Sequence, residues 1–208
     1  MKLDVVSGVV TLFVVLDPIG VAVVGGTLTR GLSAETRRAI AWRGTAIAAI
    51  LLVVFAFGGA PLLRALGISL SAFRMAGGIL LFLLSIDMVF ARPSGIRYPT
   101  EPERQEAIER NDIAVFPLAF PLLAGPGALT SIVLLVGNES SAAGIAGILA
   151  ALAAVLALAL LGLLYAGHVA RLLGVTGANV VGRVLGIVLA ALAAQFVLDG
   201  FAAWLAKG

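Results

Sequence analysis

Six apolar stretches, each long enough to cross a bilayer, constrain this chain more than any other feature. They lie at about 5–27, 40–60, 68–89, 113–136, 142–167 and 181–205. A helix needs roughly 20 apolar residues to cross about 30 Å of hydrocarbon. Backbone polar groups in lipid must be satisfied within the structure, and these stretches are too long for barrel strands. The sequence therefore predicts an all-α membrane protein with six transmembrane helices in one transmembrane domain, residues 1–208.

The composition excludes several other classes of protein. Hydrophobic residues make up 61% of the chain and charged residues only 12%, whereas a soluble domain carries about 25% charged residues. The pI near 10.0 therefore indicates arginines that orient a membrane protein rather than a nucleic-acid binder. The chain has no cysteine, a single histidine (His168) and no P-loop. We expect no metal site, no cofactor and no enzymatic activity.

The arginines predict the orientation in the membrane. Connections between the stretches are short except two. The polar stretch 30–39 carries Ser33-Ala34-Glu35, which predicts a cap and first turn for the second helix. The stretch 91–111 is a hydrophilic loop that we predict to be cytoplasmic. With the N-terminus outside, ten arginines lie inside and four basic residues outside, which satisfies the positive-inside rule. The inner set is Arg30, Arg37, Arg38, Arg43, Arg92, Arg97, Arg104, Arg110, Arg171 and Arg183, and the outer set is Lys2, Arg64, Arg74 and Lys207. We predict a multi-pass protein of the cell inner membrane with both termini extracytoplasmic.

Two of the six helices contain helix-breaking residues near their middle. The first contains Asp17-Pro18-Ile19-Gly20, and the fourth contains Pro117, Pro121 and the run AGPG at 124–127. Proline removes a backbone donor and clashes with the preceding turn, while glycine loosens the backbone. The sequence predicts that helices 1 and 4 are broken close to the middle of the membrane.

The same positions reveal an internal repeat. Pro18 and Pro126 are 108 residues apart, and RMAG at 74–77 matches RVLG at 183–186 with an offset of 109. The chain thus divides into repeat 1, about 1–90, and repeat 2, about 112–208. Because each copy crosses the membrane an odd number of times, the prediction is two inverted three-helix repeats.

Inverted repeats with paired broken helices are typical of secondary transporters, whose sites lie where the repeats meet. The N-terminus of a half-helix suits a carboxylate, and unwound carbonyls suit a cation or an ammonium group. An α-amino acid zwitterion needs both. The candidate substrate-binding residues are therefore those at the two breaks, with two hydroxyls that follow the second: Asp17, Pro18, Ile19, Gly20, Gly125, Pro126, Gly127, Thr130 and Ser131.

Three motifs resemble the MarC family of integral membrane proteins. They are DPIG at 17–20, FRMAGGILLFLLSIDM at 73–88 and PLAFPLLAGPGA at 117–128. The resemblance covers essentially the whole chain. It implies a six-span inner-membrane protein, and because some members are classed as transporters of small neutral amino acids such as glycine and alanine, it also implies transport.

Several polar residues have two interpretations. Asp17 either binds the ligand or an ion, or only caps the half-helix that begins at Pro18. Thr130 and Ser131 either face the ligand or hydrogen-bond to carbonyls of their own helix.

Four further residues are candidates for ion coupling or pairing. We expect Arg74 to extend to the outer interface rather than to pair with another helix. Asp87 either pairs with an arginine at the inner rim or relays protons, and Asp199 has the same two interpretations at the outer rim. Gln195 either joins helices or lines the site.

The predicted function is secondary transport of small neutral amino acids or a similar small solute, coupled to a proton or a sodium ion. The alternatives are transport of another small molecule, a non-transporting membrane scaffold and an intramembrane enzyme subunit. Aspartyl chemistry would need two facing carboxylates at one depth. We expect Asp17 to have no such partner, because Asp87 and Asp199 lie nearer the rims. We expect no nucleic-acid partner, and the glycine- and alanine-rich faces allow a homo-oligomer.

Overall fold

The protein is described by a computed structural model that covers residues 5–91 and 112–206. The predicted loop at 91–111 lies outside these residues except for Ala91, and so do Lys2, Lys207 and the loop arginines Arg92, Arg97, Arg104 and Arg110. The described part contains these helical segments: α1 (Val5–Leu16), α2 (Pro18–Leu28), α3 (Ala34–Ala65), α4 (Leu70–Phe90), α5 (Ala114–Leu123), α6 (Pro126–Gly137), α7 (Ala142–Leu164) and α8 (Ala166–Leu205).

These helices confirm the prediction of an all-α membrane protein. Five are long and apolar enough to cross a membrane, counting Ser7–Leu28 (α1 and α2) as one. The pair α5–α6, bent by 57°, makes six if it is one span. The first span is broken at Asp17 but is bent less than the fourth, because α1 and α2 are not bent by more than 40°. Within α8, Gly174 has a φ of 60°, and the apolar span begins after it, at Thr176.

Serine side chains mark where three of the spans begin. Ser33 accepts a hydrogen bond from the backbone of Thr36, as the sequence around Ala34 predicted, and Ser69 and Ser141 cap α4 and α7 in the same way. Such caps satisfy backbone donors that have no partner inside the helix. The fourth span begins differently, because Pro117 and Pro121 lack backbone N–H groups and α5 is irregular.

Helices α4 and α8 pack against each other in antiparallel directions along the whole membrane span, and we call them the α4–α8 pair. Three glycines make this close approach possible. A Cβ atom on Gly78 would lie 2.8 Å from the carbonyl oxygen of Ala193, one on Gly186 would lie 2.9 Å from the Cβ of Met88, and one on Gly200 would lie 2.9 Å from the carbonyl oxygen of Ser71.

The other four spans form a second group, which we call the four-span unit. In it α7 packs on α1 and α2, and α3 packs on α5 and α6. In chain order, α1–α2 is span 1, α3 is span 2, α4 is span 3, α5–α6 is span 4, α7 is span 5 and α8 is span 6. Span 1 thus packs on span 5, and span 4 packs on span 2. Large buried side chains fill the protein core, among them Leu12, Leu16, Leu52, Leu118, Leu123 and Ile132. The unit meets the α4–α8 pair through α2 against α8 and α6 against α4.

The alternating spans give the molecule two ends. The Asp87 face holds Asp87 and the helix ends at Leu28, Ala34, Phe90 and Leu164. The Asp199 face holds Asp199 and the helix ends at Ala65, Leu70, Gly137, Ala142 and Leu205.

Candidate functional site

Asp17 breaks the first span and caps the helix that follows. Its backbone is left-handed, with φ 45° and ψ 69°, and its Oδ1 accepts a hydrogen bond of 2.9 Å from the backbone N–H of Gly20. Pro18 occupies the first turn, where a missing N–H costs nothing. Asp17 therefore caps this half-helix, which both interpretations allow, and its side chain is buried, with 3% exposure.

Gly20 is needed because the Asp17 carboxylate lies where its side chain would be. An added Cβ would be 2.9 Å from Asp17 Cγ and 3.3 Å from Oδ1, with Oδ2 closer still. Contacts under 3.0 Å force something to shift. In the DPIG sequence, Asp17 therefore provides the left-handed turn and the helix cap, and Gly20 leaves the space that the Asp17 carboxylate occupies.

A cavity of about 210 Å³ lies beside this break, where α2 of the four-span unit meets the α4–α8 pair. Its lining includes two carboxylates, Asp17 and Asp87, and no lysine, arginine or histidine among the described residues. It extends to Ala91 at the end of α4, towards the Asp87 face. The remaining lining residues are Ile19, Gly20, Val23, Val24, Leu84, Met88, Ala178, Asn179, Val181 and Gly182.

Asp87 contributes the second carboxylate. Its Oδ2 is buried and accepts no hydrogen bond within the described part of the chain. The expected ion pair with an arginine at the rim is not seen among the described residues. Asp87 lies near the end of its helix, as expected, and packing of α2 against the α4–α8 pair brings the Asp17 and Asp87 side chains to one cavity.

The second break is packed rather than open. A Cβ on Gly125 would overlap the carbonyl oxygen of Pro121, and one on Gly127 would overlap the side chain of Leu81 and lie 3.4 Å from Val15. Only about 20 Å³ of apolar space remains beside Pro126. In this structure the two breaks line separate cavities, so the predicted residues do not form one site.

The two hydroxyls after the second break differ from each other. Thr130 is buried against Gly77 of α4, whose Cβ would lie 2.9 Å from that of Thr130. Ser131 has no exposed surface, and its Oγ has no hydrogen-bond partner among the described residues. The predicted bond from Ser131 to its own helix is therefore not seen.

Arg74 contacts the neighbouring helix, which corrects the expectation that it extends alone to the interface. Its Nη1 lies 4.0 Å from Oδ2 of Asp199, because the glycine contacts set α4 and α8 in this register. Gln195 donates a 2.6 Å hydrogen bond to Oδ1 of Asp199, four residues along the same helix. Gln195 therefore neither lines the cavity nor joins two helices directly.

The sequence interpretation missed the contribution of the α8 section 178–182 and of Ala91. Asn179 is polar and lies at the start of a span, but such residues are common at helix ends. Only the packing of α8 against α2 identifies it as cavity lining. Within the described residues, no group of three or more histidine, cysteine, aspartate or glutamate side chains could hold a metal ion.

Comparison with known proteins gives consistent matches along the chain. A UPF0056 membrane protein of Archaeoglobus fulgidus is 38% identical over 192 residues, covering 92% of this chain and 89% of that protein. The UPF0056 membrane protein YvbG of Bacillus subtilis is 32% identical, covering 92% and 90%. The UPF0056 inner membrane protein YhgN of Escherichia coli is 31% identical, covering 97% and 98%. None of these names states a substrate, and no solved structure matches.

The sequence model of the MarC family integral membrane proteins matches residues 3–205. This range includes both broken spans, the α4–α8 pair and every described residue that lines the cavity. The chain belongs to the MarC family and is a multi-pass integral membrane protein.

Proposed function

We propose that this protein is an ion-coupled secondary transporter of small neutral amino acids or a similar small solute. The observation that carries the proposal is the cavity of about 210 Å³ at the break in the first span, with Asp17 and Asp87 in its lining. A buried carboxylate in a membrane span is costly and is retained where it faces a cavity, an ion or a proton pathway.

The packing pattern supports an inverted repeat. In an inverted repeat, spans 1, 2 and 3 correspond to spans 4, 5 and 6. The contact between spans 1 and 5 then has a symmetric counterpart in the contact between spans 4 and 2. The contact of span 1 with span 6 likewise becomes that of span 4 with span 3. Both members of each pair occur. Transporters built this way place their substrate where the repeats meet. The cavity is lined by α2 and α4 of repeat 1 and by α8 of repeat 2, which supports such a site.

The charges of the cavity suggest how a zwitterion and a proton bind together. With both carboxyl groups ionised, the lining favours an ammonium group or a metal cation. If one is protonated, its O–H can donate to the solute carboxylate while the other accepts from the ammonium. The volume is below the roughly 300–1,000 Å³ of sites for drug-sized ligands. A small amino acid is therefore the better match, with a proton or a sodium ion as the coupling ion.

The orientation belongs to the same proposal. Six described arginines lie towards the Asp87 face and two towards the Asp199 face, by the alternation of the spans. The positive-inside rule then places the Asp87 face in the cytoplasm and both termini outside. The name of the Escherichia coli relative, an inner membrane protein, supports the inner membrane as the location.

Aspartyl hydrolysis is the second candidate, because two carboxylates share the cavity. Such chemistry requires two carboxylates that share one proton. The geometry of Asp17 favours transport over hydrolysis, because its Oδ1 already accepts the hydrogen bond from the Gly20 N–H that caps α2. A scaffold, the third class, has no need of a cavity with charged lining.

The test is uptake into liposomes that contain the purified full-length protein. Labelled glycine and alanine are supplied under a proton gradient, a sodium gradient or neither. We expect gradient-dependent uptake of intact solute, lost in Asp17→Asn and strongly reduced in Asp87→Asn, with Asp112→Asn, outside the cavity, as the matched control. Absence of uptake under every gradient would contradict the amino-acid assignment, and cleavage of a peptide substrate would favour hydrolysis.

Alanine substitution at the second break is a poor discriminator between transport and a scaffold. A methyl group at Gly125 would overlap the carbonyl oxygen of Pro121, so the variant would be destabilised in either case. The aspartate variants are better, because they change charge and leave the size of the side chain nearly the same.

A further inference from the structure

Ser131 is unexplained by the packing of this structure. It lies on α6 one turn after Gly127, with no exposed surface and with an Oγ that has no hydrogen-bond partner in the described part of the chain. A buried hydroxyl without a partner is unfavourable, because water would otherwise satisfy it. Alanine at this position would fill the same space without that cost.

The repeat gives Ser131 a counterpart inside the open cavity. The offset of 108 residues that relates Pro126 to Pro18 also relates Ser131 to Val23 and Gly127 to Ile19. Both Val23 and Ile19 line the cavity on the Asp87 face. Ser131 therefore occupies, in repeat 2, a position that faces an open cavity in repeat 1.

At the Asp199 face the corresponding space is filled. Thr130 of α6 packs on Gly77 of α4, and an added Cβ on Gly127 of α6 would overlap the side chain of Leu81 on α4. Arg74 and Asp199 approach to 4.0 Å at this end of the α4–α8 pair, whereas Arg183 and Asp87, which the repeat relates to them at the open end, make no ion pair among the described residues. The structure is thus open towards Asp87 and closed towards Asp199.

We infer that the protein has a second state, in which a matching cavity opens at the Asp199 face between α6 and the α4–α8 pair. In that state the Ser131 hydroxyl lies on the cavity wall and hydrogen-bonds to the polar end of the solute, and the contact between Arg74 and Asp199 separates. This inference rests on the proposed transport function. Rocking of one group of helices against another around a fixed site is the general means of alternating access, and the solute favours whichever state it contacts better.

Engineered cysteines test the inference directly, because the chain has none of its own. Ser131→Cys reports the Asp199 side, Val23→Cys the Asp87 side, and Val155→Cys, buried in the four-span unit, is the matched control. Ala34→Cys and Ala143→Cys, exposed at opposite faces, show which face a membrane-impermeant maleimide reaches in liposomes of full-length protein.

We expect Val23→Cys to react only from the Asp87 face, Ser131→Cys only from the Asp199 face, and Val155→Cys from neither. Arg74→Gln should raise the reaction of Ser131→Cys about fivefold. This factor corresponds to about 1 kcal/mol, the upper value for a partly exposed ion pair. Asp199→Asn should act in the same direction, which guards against misfolding of one variant.

Two results would overturn the inference. One is reaction of Ser131→Cys from the Asp87 face. The other is that Ser131→Cys reacts in neither the Arg74→Gln nor the Asp199→Asn background, although Val23→Cys still reacts and the protein elutes as a single species. Labelling needs no solute, so it separates this inference from the proposed function. Switching without uptake would refute the function only, and uptake with an unreactive Ser131→Cys would refute the second cavity.

Solute binding by Ser131 has its own readout. Ser131→Ala should raise the half-saturating concentration of the transported amino acid about tenfold when the solute is supplied at the Asp199 face, as expected for one hydrogen bond. The value measured from the Asp87 face should change less than twofold. An equal change at both faces, or none at either, would refute a binding role.

Discussion

Gly20→Ala should destabilise the protein through the Asp17 cap. The new methyl group would lie 2.9 Å from Asp17 Cγ and still closer to Oδ2, so the carboxylate must leave the Gly20 N–H or the helix must shift. Overpacking costs about 1–3 kcal/mol, and loss of a cap costs about 0.5–2 kcal/mol. Replacing a helical glycine by alanine stabilises the helix by about 0.5–1 kcal/mol, which offsets part of these costs. The free energy of unfolding should therefore fall by about 0.5–4.5 kcal/mol.

Gly8→Ala is the matched control, because it lies in the same span and its Cβ would meet nothing within 4 Å. It should be neutral or slightly stabilising. The assay is reversible unfolding in mixed detergent micelles, followed by circular dichroism. A double-mutant cycle isolates the cause, since Gly20→Ala in an Asp17→Ala background has no carboxylate to displace. The coupling between the two positions should be about 1–3 kcal/mol.

Either of two results would refute this reasoning. One is a Gly20→Ala variant no less stable than Gly8→Ala. The other is an equal cost of Gly20→Ala with and without the Asp17 carboxylate.

Three further predictions concern residues away from the cap. Gly77→Ala, which sets a methyl group against Thr130, should lower the free energy of unfolding by about 1–3 kcal/mol, and combining it with Thr130→Ala should restore most of this loss in the same unfolding assay. Ser131→Ala should leave that free energy unchanged or raise it by up to about 1–3 kcal/mol, whereas Ser85→Ala, which removes a 2.6 Å hydrogen bond to Phe82, should lower it. Ser141, which caps α7, donates backbone and side-chain hydrogen bonds to Glu139 and lowers the pKa of that carboxyl below 4.5. The stabilisation by ionised Glu139 is therefore present above pH 4.5 and is lost as the pH falls through the lowered pKa. Glu139→Gln should remove that part of the pH dependence of unfolding, and an unchanged profile would contradict it.

Local chemistry was sufficient to predict the two breaks and the start of α3. Proline and glycine act through neighbouring backbone atoms, so Pro18 and Pro126 identify the breaks without knowledge of the packing. A serine cap such as Ser33 likewise depends on residues three positions away.

The site itself depends on contacts between distant parts of the chain. Asp87 is near the end of its helix, as its sequence position indicates, but α2 packs so that the cavity extends from Asp17 to that end. Arg74 meets Asp199 only because small residues bring α4 and α8 together in one antiparallel register. A single sequence does not specify such a register, since many glycine faces could pair.

Substrate protection of a cavity cysteine measures directly whether this cavity binds the solute. Val23→Cys in full-length protein is labelled by a maleimide with increasing glycine or alanine present. We expect the amino acid taken up by the liposomes to slow labelling of Val23→Cys at least severalfold and to leave labelling of Ala34→Cys, outside the cavity, unchanged. An unchanged rate for Val23→Cys at saturating concentrations of a transported solute would contradict the claim that this cavity is the solute site.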